Sequence, residues 1–438
     1  MPQPPQAVDT LFEDLLQDLP PETVPMAREF KAFTRARKVK TPVQLLRLVL
    51  LYCGLDHSLR EVAGHFTLLQ ERITESAVAE RLVACRPWVR ALLPCLLGQP
   101  SLDALPPQRR FLVLDGSGVQ APGARGTQYR LHLCMEMVTL TLTYVAITDK
   151  HTGESLRHFP LAPGDVAVAD RGYGHPATIV QTVQQGAEVV LRLNPHNVPV
   201  THRDGTPLAW STVLGQLPAV PVSTLPVQLV VTGAAPLPLW VHAAPLPEMQ
   251  ANKARRVCRQ QSRKKGHQPS PQTLLLAGWV LVVTTLPPAL LPGPTALALY
   301  RVRWQIEIAI KRWKSVLDVD LLRARDASPL ADVWLHGKLL YVLMLDKRLR
   351  RTLGEQWSWL DRPRTATWWR PWKLLRAEVA PRITGVLGWQ HLQWPACLQV
   401  LAERPRRRQL QRLPHEVTLM VSMPDPHRQP SRQQAMAA

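Results

Sequence analysis

Tyr300, Arg303, Glu307 and Lys314 recur at spacings that a helix turns into one face: at 100° per residue they fall within a stripe of roughly 60°. Val302, Ile306, Ala309, Ile310 and Trp313 take the opposite face, so the sequence predicts one amphipathic helix that buries its apolar side and turns the polar stripe outward. A carboxylate flanked by two cations and a phenol can hold a metal ion while its neighbours take phosphate oxygens. Two more acids, Asp115 and Asp170, each close an apolar run, where a strand meets the edge of a sheet. Three converging carboxylates could hold two hard divalent cations through oxygen, the arrangement that activates a nucleophile and stabilises the leaving oxygen in phosphodiester displacement. Two Mg2+ ions suit such donors best, with Mn2+ as a substitute, and zinc is less suited because no histidine is required. Each residue alone has a plainer reading. A polar stripe is commonly a solvated, ion-paired face, and an Asp followed by Gly is commonly a turn former.

The elements that must position these groups follow from pattern. Phe111, Leu112, Val113 and Leu114 read as a buried strand ending at Asp115, with Gly116, Gly118 and Gly123 marking a loop after it. Strands follow over 129–137, 138–147, 165–169 and 188–193, with a helix-compatible stretch at 175–186. Several strands followed by a strand-helix-strand unit give a mixed α/β sheet covered by helices. Residues 1–105 read as a helical N-terminal domain and a candidate DNA-binding one: Ser58 can cap a helix through Phe66, and Thr74 or Ser76 a second through Ala84, the outline of a helix-turn-helix. Ordinary helical packing gives the same outline. The proline-rich stretch 195–291 holds short apolar runs and reads as a β-rich insertion. It interrupts a catalytic core at 106–194 and 292–345. Inside it Lys253, Arg255, Arg256, Arg259, Arg263, Lys264 and Lys265 form a basic segment that could grip phosphate or lie as a solvated loop. A helical C-terminal region spans 346–401, with Trp357, Trp359, Trp368, Trp369 and Trp372 available for a subunit contact or for its own core, and 402–438 reads as a disordered basic tail.

Charge narrows the partner. Lysine and arginine number 53 against 33 acids, a formal charge of +20 that suits a polyanion and makes nucleic acid the first candidate. An anionic membrane surface fits less well, because the basic residues are spread along the chain. The longest apolar stretch, 273–291, is broken by Gly278 and by Pro287 and Pro288, so no membrane span is expected. Six cysteines without CxxC spacing read as free thiols in a reducing compartment, and the acidic start of the chain lacks the basic region of a secretion signal; a cytoplasmic location, nucleoid-associated when bound to DNA, is the expectation.

These residues resemble the DDE transposases of bacterial insertion sequences, specifically the insertion-sequence-four type with its Tyr-x2-Arg-x3-Glu-x6-Lys signature, matched by Tyr300, Arg303, Glu307 and Lys314. The likeness extends to residues 111–116, to Tyr129-Arg130-Leu131-His132, to Gly153-Glu154-Ser155-Leu156, to Gly164-Asp165 and to Asp170-Arg171-Gly172-Tyr173. It implies an RNase H-like core, with Asp115, Asp170 and Glu307 as metal-binding catalytic acids and Tyr300, Arg303, Lys314 and Arg171 on DNA. It also implies that Trp279 stacks on a base flipped from the end DNA, although a buried core tryptophan fits that position nearly as well. The implied reaction is cut-and-paste movement of an insertion sequence by strand cleavage and strand transfer, through a DNA hairpin. Its implied partners are double-stranded DNA bearing terminal inverted repeats, target DNA and a second copy of the chain in a synaptic homodimer. The rival readings are a stand-alone RNase H-like nuclease and a catalytically silent, transposase-derived DNA-binding protein.

Overall fold

A computed structural model describes residues 11–98, 109–137, 139–218, 220–353 and 369–385. Nine strands build one mixed sheet: β1 (Arg110–Gln120), β2 (Thr127–Glu136), β3 (Leu142–Asp149), β4 (Asp165–Ala169), β5 (Glu188–Arg192), β6 (Val200–Thr201), β7 (Ser223–Leu229), β8 (Leu237–Pro245) and β9 (Trp279–Thr284). Their order across the sheet is β3-β2-β1-β4-β5-β9-β8-β7-β6. β4 runs parallel to both β1 and β5, and the other pairings are antiparallel. The central strands β4 and β5 are nearly continuous runs of Val, Ala and Leu because both of their faces are covered.

Alternate residues of these strands feed two cores. Val113, Val166, Val168, Val190 and Val282 face one that includes the N-terminal helices and the helices after residue 293. Leu112, Leu114, Ala167, Ala169, Val189 and Leu191 face the other, capped by the helix Pro176–Gln184 and the helix Trp210–Gln216. The result is a helix-sheet-helix sandwich.

Several expectations need correcting. β1 does not stop at Asp115 but continues to Gln120, with Gly116 paired to His132 and Gly118 to Arg130. Its glycines are strand residues because other side chains cross them: a Cβ on Gly116 would lie 2.9 Å from a Glu154 carboxylate oxygen, and one on Gly118 would collide with the Thr127 hydroxyl. The basic segment is not a loop but the body of the helix Glu248–Lys264. The predicted signature helix is two, Gly293–Val302 and Trp304–Leu317, joined at Arg303, where the Arg303 and Ile306 amides each reach back only three residues. Residues 195–291 supply strands β6 to β9 of the same sheet. β9 bonds to β5 on one side and β8 on the other, so residues 195–291 lengthen the central sheet.

The N-terminal helices include Leu59–Leu69, started by a Ser58–Glu61 capping box, and Glu75–Ala84, capped by Thr74 and not Ser76. They are tied to the long helix Pro329–Leu353 by buried charge: Lys338 Nζ donates to Asp56 at 2.6 Å, and Arg348 donates to Asp18 and Asp14 at 2.8 Å each. The five described cysteines are free thiols, and no helix among the described residues is long and apolar enough to cross a membrane. Trp369 and Trp372 lie in the helix Trp369–Thr384, with Trp372 fully buried. Trp357, Trp359, Trp368 and the predicted tail 402–438 lie outside the described residues.

Candidate active site

The register of two parallel strands places the first two acids. Arg110 pairs with Asp165 and Val113 with Val168, and continuing that register by two residues sets Asp170 opposite Asp115. Partners in a parallel ladder point to the same face, here the face of Val113 and Val168. The helix Trp304–Leu317 packs across that face through Ile306, Ala309, Ile310 and Trp313, which brings Glu307 over the same edge.

The polar stripe does not face solvent. Tyr300 is 9% and Arg303 7% exposed, because both reach inward to the acids. The Tyr300 hydroxyl donates to Asp170 Oδ1 at 2.9 Å, and Arg303 Nη2 donates to Glu307 Oε1 at 2.5 Å. The Arg303 guanidinium also lies 5.4 Å from the centre of the Tyr300 ring, and Lys311 Nζ is 3.6 Å from the second Glu307 oxygen. A guanidinium and a phenol so deeply placed are held by charge-assisted hydrogen bonds, without which their burial would be costly.

The two strand acids feel different surroundings. Burial pushes the Asp115 carboxyl up to about 6; the Gly116 N–H and Arg303 oppose the rise, while Glu307 and Glu154 add to it. Burial also acts to raise Asp170, but the Arg171 N–H, the Tyr300 hydroxyl and the charges of Arg303 and Arg192 outweigh it, leaving that carboxyl below its ordinary value. Asp115 is therefore a partly buried carboxylate short of positive charge. It accepts a hydrogen bond from the N–H of its neighbour Gly116 at 2.9 Å.

A hard divalent cation fits this donor set, which is carboxylate oxygen throughout. No group of three or more His, Cys, Asp or Glu side chains among the described residues is gathered closely enough to share an ion, and Arg303 and Tyr300 engage Glu307 and Asp170.

The remaining expected residues disperse. Lys314 points to Asp320 at 3.9 Å, and Arg171 is exposed on the turn after Asp170. Trp279 opens β9 at the same sheet edge, but it is half-buried against the opposite core. Sequence reasoning did not single out four further groups at the site: Glu154, Arg130, Tyr173 and Arg192. A signal existed for the first three, which lie in stretches that share the likeness to the transposases. Arg192 ends β5 beside Asp170, a place only the strand order reveals.

A family model described as "Transposase DDE domain" matches residues 106–343, more than half of the chain and the whole of this site. The chain belongs to that family. Relatives agree: InsL, assigned as transposase of insertion sequence element IS186A in Escherichia coli (strain K12), is 29% identical over 341 residues, covering 76% of this chain and 92% of its own. The transposase of insertion sequence element IS421 from Escherichia coli is 29% identical over 342 residues with the same coverage, and that of IS231F from Bacillus thuringiensis subsp. israelensis is 28% identical over 204 residues, 42% of this chain and 41% of its own. Among solved structures, a piggyBac transposase synaptic complex with hairpin DNA aligns over 96% of this chain and 90% of its own, at a TM-score of 0.40 and 9% identity. Membership makes the chain a DDE transposase, of a family that carries nuclease and transposition activity and generally uses a divalent metal.

Proposed function

We propose that this transposase is of the insertion-sequence-four type and moves its element by cut and paste, with Asp115, Asp170 and Glu307 as the catalytic acids of an RNase H-like core. The observation that carries the reading is the convergence of the whole Tyr-Arg-Glu part of the signature on the strand acids: Tyr300 bonded to Asp170 and Arg303 to Glu307, on the sheet face shared with Asp115. The order β3-β2-β1-β4-β5, with β1 antiparallel to β2 and parallel to β4, supports the core assignment.

Divalent ions, Mg2+ with Mn2+ as a substitute, would be held by Asp115, Asp170 and Glu307 and would supply Lewis-acid activation of the attacking oxygen and charge neutralisation at the leaving one. The chain's own groups do the rest. Tyr300 holds Asp170 in one orientation and, with its own pKa pushed up to about 12 first by burial, keeps its proton at any working pH. Arg303, fixed by Glu307 and the Tyr300 ring, places a preorganised cation where negative charge on a phosphate would develop. Lys314 and Arg171, both at least partly exposed, take backbone phosphates flanking the cut.

In this reading the first cut frees a 3′ hydroxyl at the terminal inverted repeat, that hydroxyl attacks the opposite strand to give a hairpin, and the reopened end joins target DNA within a synaptic homodimer. Trp279 is the group on which an unpaired base would stack. The decisive experiment is an assay of the purified protein on a duplex carrying its element's ends, with Mg2+, resolving nicking, hairpin and strand-transfer products. Trp279→Ala should reduce hairpin formation more than nicking, and equal loss at both steps assigns Trp279 to the core. Cleavage without strand transfer would point to a nuclease.

A further inference from the structure

We propose that Glu154 is a positioning residue of this site: its carboxylate is a wedge seated between the strand that carries Asp115 and the turn that follows Asp170, and it fixes the spacing of the two acids. The inference rests on the assignment of those acids given above.

Two glycines on separate elements make room for the same carboxylate. A Cβ on Gly116, the residue after Asp115, would fall 2.9 Å from one Glu154 oxygen and 3.2 Å from its Cγ. A Cβ on Gly172, two residues after Asp170, would collide with the other oxygen. Neither glycine is there for its backbone angles, since neither has a positive φ. What both share is Glu154, which any side chain at either place would displace.

The wedge is held from three directions. Arg130, from β2, donates to the same oxygen that faces Gly116 at 3.2 Å. The Glu154 carbonyl is bonded by the His175 ring at 3.1 Å, just past the Asp170 turn, and the Gly153 carbonyl by the His158 ring at 2.9 Å. Tyr173 is fully buried with a hydroxyl that has no partner among the described residues, and that hydroxyl is 3.3 Å from the Cβ position of Gly116, beside Glu154. Burial, then the charges of Glu154 and Asp115, hold the Tyr173 hydroxyl in its protonated form.

An ordinary half-exposed ion pair accounts for less. Arg130 and Glu154 alone would be a surface pair contributing little. It would not require space cleared beside both Asp115 and Asp170, nor a buried phenol left unsatisfied at the same point. Supporting groups behind metal ligands matter by holding those ligands in place.

The test is Mn2+ affinity of the full-length protein without DNA, read by electron paramagnetic resonance of the free ion, alongside circular dichroism. Glu154→Ala should weaken Mn2+ binding about 10- to 100-fold, and Glu154→Gln, which keeps shape and an acceptor for Arg130, should stay within about threefold of the parent. Gly172→Ala, which pushes the carboxylate out from the other side, should reproduce the alanine result and serves if Glu154→Ala does not fold. Affinity unchanged in Glu154→Ala, or in Gly172→Ala where that variant stands in, overturns the proposal. So does equal loss in Glu154→Gln, which would make Glu154 a direct charge ligand. Asp115→Ala separates the wedge from the site it serves: if it leaves Mn2+ binding intact, the site assignment itself fails.

Discussion

The sheet edge and the basic helix Glu248–Lys264 handle charge in opposite ways. At the edge, Tyr300, Arg303 and Glu307 are wholly or largely withdrawn from solvent and bonded to one another or to Asp170, so each group has one orientation. On the helix, Lys253, Arg256, Arg259, Arg263 and Lys264 lie within an arc of roughly 140°, all exposed and without an ion-pair partner among the described residues. Several cations elsewhere are paired: Arg90 with Asp332, Arg110 with Asp165, Lys338 with Asp56, Arg348 with Asp18. Buried, mutually satisfied charge fixes geometry, whereas unpaired exposed charge attracts a polyanion without specifying where it is cut. Arg255 links the two regions by donating to the Leu274 carbonyl at 3.3 Å, just ahead of β9.

That contrast can be broken at several points. The largest effect belongs to the edge: Asp115→Ala, Asp170→Ala and Glu307→Ala should each lower Mg2+-dependent end cleavage by about 10³-fold or more while leaving DNA affinity largely intact. A gel assay showing normal cleavage by any one of them removes that residue from the site. Next comes the helix. Reversing Arg256, Arg259 and Arg263 to Glu should leave folding unchanged but weaken duplex binding about 10- to 100-fold at moderate salt, with a salt slope shallower by roughly 0.9 for each phosphate no longer neutralised. An unaltered slope would mark the helix as a solvated face.

Buried charge should behave in reverse. Asp56→Ala strands Lys338, which is 1% exposed, and should cost about 3–5 kcal/mol in urea unfolding with no direct effect on the salt slope. Protonation gives a milder version. His57 and His65 stack at 4.7 Å, and burial holds the His65 ring down to about 4 and His57 below its ordinary value. Their folded pKa values lie below the unfolded one, so their contribution is complete above about pH 6.5 and is lost as pH falls toward 4. Tm should drop across that window by several degrees more in the parent than in His65→Phe. The smallest effect is Lys314→Ala: with Asp320 as a loose partner at 3.9 Å, it should lower DNA affinity a few-fold and the salt slope by about one unit.

Much of this arrangement was legible in the sequence, and the misses have physical causes. β4 and β5 announced themselves because strands buried on both faces are unbroken apolar runs. The second half of β1 did not, since Gly116 and Gly118 look like loop residues until Glu154 and Thr127 are seen crossing them. Helical spacing correctly grouped Tyr300, Arg303 and Glu307 but gave them the wrong direction. Periodicity reports which residues share a face, and it took the bond to Asp170 to show that the polar face looks inward. Glu154 stayed unassigned because its role depends on two glycines far from it in sequence.

The continuous ladder from β1 through β4 and β5 to β9 sets a fixed gauge across the molecule. Neighbouring strands are spaced by about 4.8 Å, so β9, beside which the basic helix is anchored, lies some 14 Å from the strand of Asp115. Because that gauge is built of hydrogen-bonded strands, the separation of Asp115 on β1 from Trp279 on β9 is set by the sheet itself, with no need for a moving part.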